Sequence, residues 1–146
     1  MATLQTFDQA LSASTAAARD AWSDDGVVAV GELAAKLSDE ELALLRVILP
    51  DRPLLWQKHC AQVLGWARHG EAIEILMDLV DRAPQDVALA ALESLSEFDP
   101  GLLTPVQTSR IVAAIEALLA RPLAPLHHAL LEKFLVTLRS VRAAAK

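Results

Sequence analysis

Hydrophobic residues recur at helical spacing along most of the chain. In residues 70–83, GEAIEILMDLVDRA, the apolar positions Ile73, Leu76, Met77 and Val80 are three or four residues apart, which is typical of an amphipathic helix. No segment shows the strict alternation that indicates a strand. The chain is therefore predicted to be all-α. The predicted helices, about eight in number, cover residues 3–21, 27–37, 39–49, 53–69, 71–83, 86–98, 105–120 and 125–142.

Several helix boundaries carry recognisable capping chemistry. Ser38 is followed three residues later by Glu41, the pattern of a capping box. Thr104 precedes a proline, as expected of an N-cap and the first helical position. SDDG at 23–26 predicts a break, and Gly70 is predicted to end the helix before it as a C′ residue.

The two central helical segments repeat one pattern of apolar positions at an offset of 31 residues. A repeat of this length is typical of solenoids, in which pairs of helices stack on one another. At this offset, Trp56, Cys60, Ala61 and Leu64 align with Val87, Ala91, Leu92 and Leu95.

The segment KHCAQVLGWARHGEAIEILMDLVDRAPQDVALAALESLSEF, residues 58–98, resembles HEAT-type repeats, especially their short bacterial form. The pattern is carried by Leu64, Gly65, Ala72, Ile73, Leu76 and Leu79, and its restart by Val87, Ala90, Ala91 and Leu95. The resemblance implies one helical domain over 1–146, with capping helices in 1–50 and a HEAT-like stack of antiparallel helix pairs in 53–142. A closed helical bundle is the alternative.

Four acidic residues share one side of the predicted helix 71–83. Glu71, Glu74, Asp78 and Asp81 fall within roughly 80° of arc at helical geometry. The one nearby base, Arg82, points elsewhere, so we expect these carboxylates to be unmatched. Like charges at this spacing destabilise a helix, and Asp78 and Asp81 gain nothing from the helix dipole. The face is either simply solvated or a surface for a basic partner.

In HEAT-like proteins the second helix of each pair lines the concave surface, where partners commonly bind. The resemblance therefore implies that the acidic face lies there. Trp66 and His69 precede it; Trp66 is either an interface anchor or a residue that packs one repeat on the next. The predicted partner-binding residues are Glu71, Glu74, Asp78, Asp81, Trp66 and His69.

The charge of the chain favours a basic partner over nucleic acid. The net charge is −6, with −10 in residues 1–99 and +4 in 100–146, whereas nucleic-acid binding needs a basic footprint. The N-terminus lacks the features of a secretory signal, and no uncharged apolar run reaches the ~18 residues of a membrane span. We therefore expect a cytoplasmic protein with no membrane or nucleic-acid partner.

Candidate catalytic groups are few. Cys60 is the single cysteine, and its position on the apolar face predicts a core residue. His127 and His128 are adjacent, so on a helix they diverge by about 100°. No phosphate-binding loop, nucleophile elbow or zinc-protease motif occurs. We therefore predict no catalytic residue, metal or cofactor.

The resulting functional hypothesis is a non-enzymatic module that binds a basic protein through the acidic helical face. The specific form of this hypothesis is an immunity protein that neutralises a bacterial toxin. It rests on analogy with other small acidic helical proteins. A secretion adaptor or chaperone, or a complex scaffold, has the same sequence features. The enzymatic alternative is a small helical metal-dependent or hydrolytic enzyme that uses Glu71, Glu74 and His69.

Overall fold

The computed structural model describes residues 2–16, 22–67 and 70–144. Within these ranges the chain forms eight α-helices and no strand, which confirms the all-α prediction. The helices are α1 (Ala2–Ala16), α2 (Val27–Ala34), α3 (Asp39–Ile48), α4 (Leu54–Leu64), α5 (Gly70–Arg82), α6 (Gln85–Leu95), α7 (Pro105–Leu119) and α8 (Pro125–Ala144).

The connection before α2 differs from the prediction. Trp22–Gly26 forms a π-helical turn that runs directly into α2, so SDDG is itself helical, and the α-helix after it begins at Val27 as predicted. The first residue of this turn is fixed in place, because the buried Trp22 indole donates a hydrogen bond of 2.8 Å to Gln62. The predicted first helix reaches residue 21, and its part beyond Ala16 lies outside the described ranges.

The capping chemistry read from the sequence is present. The Ser38 hydroxyl accepts from the Glu41 N–H at 3.1 Å, and the Glu41 carboxylate accepts from the Ser38 N–H at 3.2 Å. Thr104 forms a second capping box, with Gln107 as its partner. These reciprocal bonds satisfy N–H groups that have no partner inside the helix.

Helix α4 ends five residues earlier than residue 69, the end that the sequence predicts. After Leu64, the N–H groups of Trp66 and Ala67 bond to carbonyls three residues back, which tightens the chain into a turn. Gly70 is the first residue of α5, so its predicted role as the C′ residue of α4 is wrong. Gly65 takes the C-cap position of α4 instead.

The helices pack in two interleaved successions. One runs through α2, α4, α6 and α8, and the other through α3, α5 and α7, each helix contacting the next in its succession. Helix α1 packs on α2, α3 and α4, while α5 packs on α6 and α7 on α8. The residues aligned at the 31-residue offset lie on α4 and α6, and all are buried. The repeated pattern thus corresponds to the contact between these two helices.

Helix α1 is attached through both apolar and polar contacts. Its side chains Leu4, Phe7 and Leu11 are buried. The Leu4 N–H donates to the buried Glu41 carboxylate at 2.6 Å, and Asp8 accepts two hydrogen bonds from Arg52, at 3.2 and 2.6 Å. Glu41 lies in the first turn of α3 and Arg52 in the turn between α3 and α4, so these contacts hold α1 against α3 and against that turn.

Candidate functional site

Helix α5 is strongly two-sided, as its sequence predicts. Ile73, Leu76, Met77 and Leu79 are buried, and the acidic side chains lie on the outward face. The side chains of Glu71, Glu74 and Asp78 are 30%, 36% and 26% exposed, and that of Asp81 is 41% exposed. The four acids, Glu71, Glu74, Asp78 and Asp81, are called the carboxylate row below.

Arg46 on α3 gathers three members of the carboxylate row. Its guanidinium bonds to both oxygens of Asp78, with Nε at 2.7 Å and Nη2 at 3.2 Å. The same group lies 3.5 Å from Glu71 and 3.9 Å from Glu74. The hydrogen bond to Asp78 raises the pKa of Arg46; burial opposes the rise, and Glu71 adds to it. The expectation of an unmatched acidic face is therefore wrong.

Helix α7 approaches the row from the other side. The Gln107 amide donates to Glu74 at 2.5 Å, and Arg110 forms an ion pair with Asp81. The carboxylate row thus lies between α3 and α7, and each neighbour supplies donors to it. Arg82, the base closest in sequence, contacts none of the four acids in the described part of the chain.

The row keeps a negative excess despite these partners. Four carboxylates face two guanidinium groups, Arg46 and Arg110, so the cluster carries a formal charge of about −2 at neutral pH. The three carboxylates around Arg46 share a single positive charge. A surface of this kind attracts cationic groups of a partner.

Arg46, Gln107 and Arg110 are not among the predicted binding residues, although the sequence carries a signal for them. Their contacts with Asp78, Glu74 and Asp81 span 32, 33 and 29 residues. These separations lie close to the 31-residue offset of the apolar pattern. Residues about this far apart lie on helices that contact each other, namely α3 with α5 and α5 with α7.

Trp66 packs on α2, whereas the carboxylate row contacts α3 and α7. A Cβ atom added to Gly31 would lie 1.6 Å from the Trp66 ring, so the indole rests directly on the helix backbone. The depression around it is lined by Val28, Glu32, Ala35 and Ala67. This is the geometry of a residue that packs one helix on another. The predicted binding residue His69 lies outside the described ranges.

His59 belongs to a buried polar cluster between α1 and α4. Its ring stacks on Trp22 with centroids 4.0 Å apart. The Ser14 hydroxyl donates to the Leu11 carbonyl at 2.6 Å and so accepts from Nδ1 of His59 at 2.8 Å. Burial lowers the pKa of His59, and the charge of Lys58 lowers it further. The neutral form, with its proton on Nδ1, fits this site.

The other candidate catalytic residues, Cys60, His127 and His128, do not share a common site. Cys60 is fully buried, and burial, followed by the charge of Asp8, raises the pKa of its thiol. His127 contacts Glu93 and His128 contacts Glu132, each at 2.9 Å, so these two histidines have separate partners. Across residues 2–16, 22–67 and 70–144, no three His, Cys, Asp or Glu side chains are arranged to hold a metal ion.

A helix able to cross a bilayer is absent from the described part of the chain, where none is both long and apolar enough. Comparison of the chain with protein-family models, curated proteins and solved structures finds no match.

Proposed function

We propose that this protein is a non-enzymatic binding module that recognises a basic protein segment through the carboxylate row on α5. The observation that carries the proposal is the convergence of Glu71, Glu74 and Asp78 on the single cation of Arg46. All three carboxylates keep part of their surface in water, so a lysine or arginine of a partner can reach them. A toxin-neutralising immunity protein is the specific form of this role.

The fold that we propose for this role is a HEAT-like stack of helix pairs. Two observations support it: helices two apart in the chain pack on one another, and contacts across the row span about one repeat. In such a stack α3, α5 and α7 form one surface, with the carboxylate row at its centre. A partner helix or loop laid across these three helices meets the row directly.

The ion pairs within the row leave it available for binding. Pairs between partly exposed side chains contribute only about 0–1 kcal/mol, because water solvates both charges when they separate. A partner's cation can therefore share the carboxylates with Arg46 at little cost. Attraction over a charged surface also speeds association, and salt screens it.

The test is charge reversal within the row. The tagged protein is used to isolate its partner from native lysate, and the affinity of the pair is then measured at low and moderate salt. We expect Glu74→Lys with Asp78→Lys to weaken binding more than about tenfold and to remove most of its salt dependence. Circular dichroism should show folding close to that of the parent.

The matched control reverses two acids away from the row. Glu116 and Glu132 are exposed on α7 and α8 and pair with Arg139 and His128. Glu116→Lys with Glu132→Lys changes the net charge by the same amount as the test variant. If both double variants weaken binding equally, only the overall charge matters, and the proposed surface is wrong. A partner whose affinity is insensitive to salt and to both variants also overturns the proposal.

A further inference from the structure

A groove of about 300 Å³ opens where α3, α4 and α5 meet. Its walls come from the end of α3 and the turn after it, from the start of α4, and from the last turns of α5. Its apolar lining includes Leu49, Leu54, Ile75 and Leu79. Of these, Leu54 is 54% exposed, whereas the other three are buried. The Leu54 side chain is therefore a large apolar group that is exposed to solvent at the groove.

Two charged side chains of α5 also line the groove, and they differ in how they are paired. The Asp78 carboxylate already accepts two hydrogen bonds from Arg46. Arg82 is exposed and forms no hydrogen bond or ion pair with the described part of the chain. Its position in the last turn of α5 suits the helix dipole. Three charged residues line the groove: Arg46 and Asp78 pair with each other, whereas Arg82 has no ion pair with the described residues.

We propose that this groove docks an apolar side chain of a partner polypeptide that carries a carboxylate about one helical turn away, with Arg82 as the counter-ion. The occupant's apolar group covers Leu54 and takes it out of water, which is the main driving force for such contacts. Its carboxylate forms a charge-assisted contact with Arg82, for which a guanidinium offers fork-shaped donors.

This contact goes beyond the proposed function, because it is chemically distinct from the carboxylate row. Asp78 joins the two sites, since it belongs to the row and also lines the groove. Arg82 lies at the C-terminal end of α5, and the acids of the carboxylate row lie between it and the N-terminus of the helix. A partner segment that uses both sites carries its acid at one end and its bases along the rest. The groove thus sets the direction in which the segment lies.

The test is a titration of the isotope-labelled full chain with a short peptide, followed by amide chemical shifts in nuclear magnetic resonance spectra. The peptide is rich in alanine and glutamine and carries one leucine and, one helical turn later, one glutamate. We expect saturable shifts at groove residues. Leu54→Ser should weaken binding about fivefold through lost apolar contact, and Arg82→Gln about threefold.

Two control variants match these changes outside the groove. Leu55 is 46% exposed beside Leu54 but does not line the groove, so Leu55→Ser should leave binding unchanged. Arg121 is exposed beyond α7, so Arg121→Gln should also have no effect. Equal losses for Leu54→Ser and Leu55→Ser, or no saturable shift at the groove, would overturn the proposal.

A second peptide with lysine in place of glutamate tests the charge assignment. Weaker binding of the lysine peptide supports the pairing with Arg82. Tighter binding would overturn it and assign the groove to the same basic segment as the carboxylate row. The proposed function fails by a different result, namely insensitivity of partner binding to Glu74→Lys with Asp78→Lys, so the two failures are distinguishable.

Discussion

The polar contacts that hold α1 and the carboxylate row on α5 use similar groups in different surroundings. At α1, the Glu41 carboxylate and the His59 ring are buried and accept or donate hydrogen bonds across 37 and 45 residues of sequence. In the row, Asp78 and Glu74 meet Arg46 and Gln107 over 32 and 33 residues, with their surfaces partly in water. Both regions join helices distant in sequence.

The difference in burial separates stability from recognition. When a buried polar group loses its hydrogen-bond partner, water cannot take the partner's place. The protein therefore loses the full desolvation free energy of the group that is left unpaired. A half-exposed group exchanges its partner for water or for another protein at little cost. We therefore expect changes at α1 to alter the free energy of unfolding and changes in the row to alter binding.

The largest effect is expected from removing an apolar anchor of α1. Phe7 is fully buried, and Phe7→Ala should lower the free energy of unfolding by about 3–5 kcal/mol through lost contacts and the cavity left behind. Urea unfolding followed by circular dichroism measures the change. Leu126→Ala is the control, because Leu126 is 78% exposed. A loss below about 1 kcal/mol for Phe7→Ala would mean that α1 contributes little to the fold.

A smaller loss is expected at the buried carboxylate. Glu41→Ala removes the acceptor of the Leu4 and Ser38 N–H groups and should destabilise the protein by about 1–3 kcal/mol. Glu40→Ala is the matched control, since Glu40 is exposed in the same first turn of α3. Equal effects of the two variants in urea unfolding would show that burial does not decide how much an acid on α3 contributes to stability.

The two buried titratable groups, His59 and Glu41, should make the free energy of unfolding depend on pH in different pH ranges. The pKa of His59 is lowered by burial and by Lys58, so below about pH 6.5 the unfolded chain binds a proton that the folded chain resists. Stability should therefore fall as the pH drops from about 6.5, and His59→Phe should flatten this slope. Thermal unfolding at several pH values measures it. An unchanged slope in the variant would show that His59 does not cause it.

At Glu41, burial raises the pKa, but the hydrogen bonds from Ser38 and Leu4 bring it below its ordinary value. Its contribution to stability should persist above about pH 4.5 and disappear as the pH falls through the folded-state pKa. This loss begins at a lower pH than the loss due to His59, so the two onsets should be separable along one pH series.

The smallest effect on stability, with the clearest effect on binding, is expected at Arg46. Arg46→Gln should change the free energy of unfolding by less than about 1 kcal/mol, because its partners are partly exposed. It also makes the row more negative, and so it should tighten the binding of a basic partner and steepen the salt dependence. Arg139→Gln, which removes the exposed pair with Glu116, is the control. Weaker binding by Arg46→Gln would show that the guanidinium itself contacts the partner.

Sequence reasoning gave the helices and their buried faces but missed the partners of the acids. Periodicity and caps identify local structure, because burial imposes the periodicity of apolar positions. The aligned positions of α4 and α6 are all buried, and so are Ile73, Leu76 and Met77 of α5, whereas Leu55 of α4 is exposed and Val80 of α5 only partly buried. The end of α4 was missed, since the tight turn after Leu64 has no strong residue signal. A helical projection also considers one helix at a time, so it cannot show that Arg46 on α3 reaches Asp78 on α5.

The positions of the aromatic residues have a spectroscopic consequence. The chain has three tryptophans and no tyrosine; Trp22 stacks on His59, Trp56 is buried in α4, and Trp66 lies on the backbone of Gly31. All three precede α5. Intrinsic tryptophan fluorescence therefore monitors the first four helices, whereas far-ultraviolet dichroism monitors all eight. If the two signals change at different urea concentrations, the N-terminal and C-terminal halves of the molecule unfold as separate units.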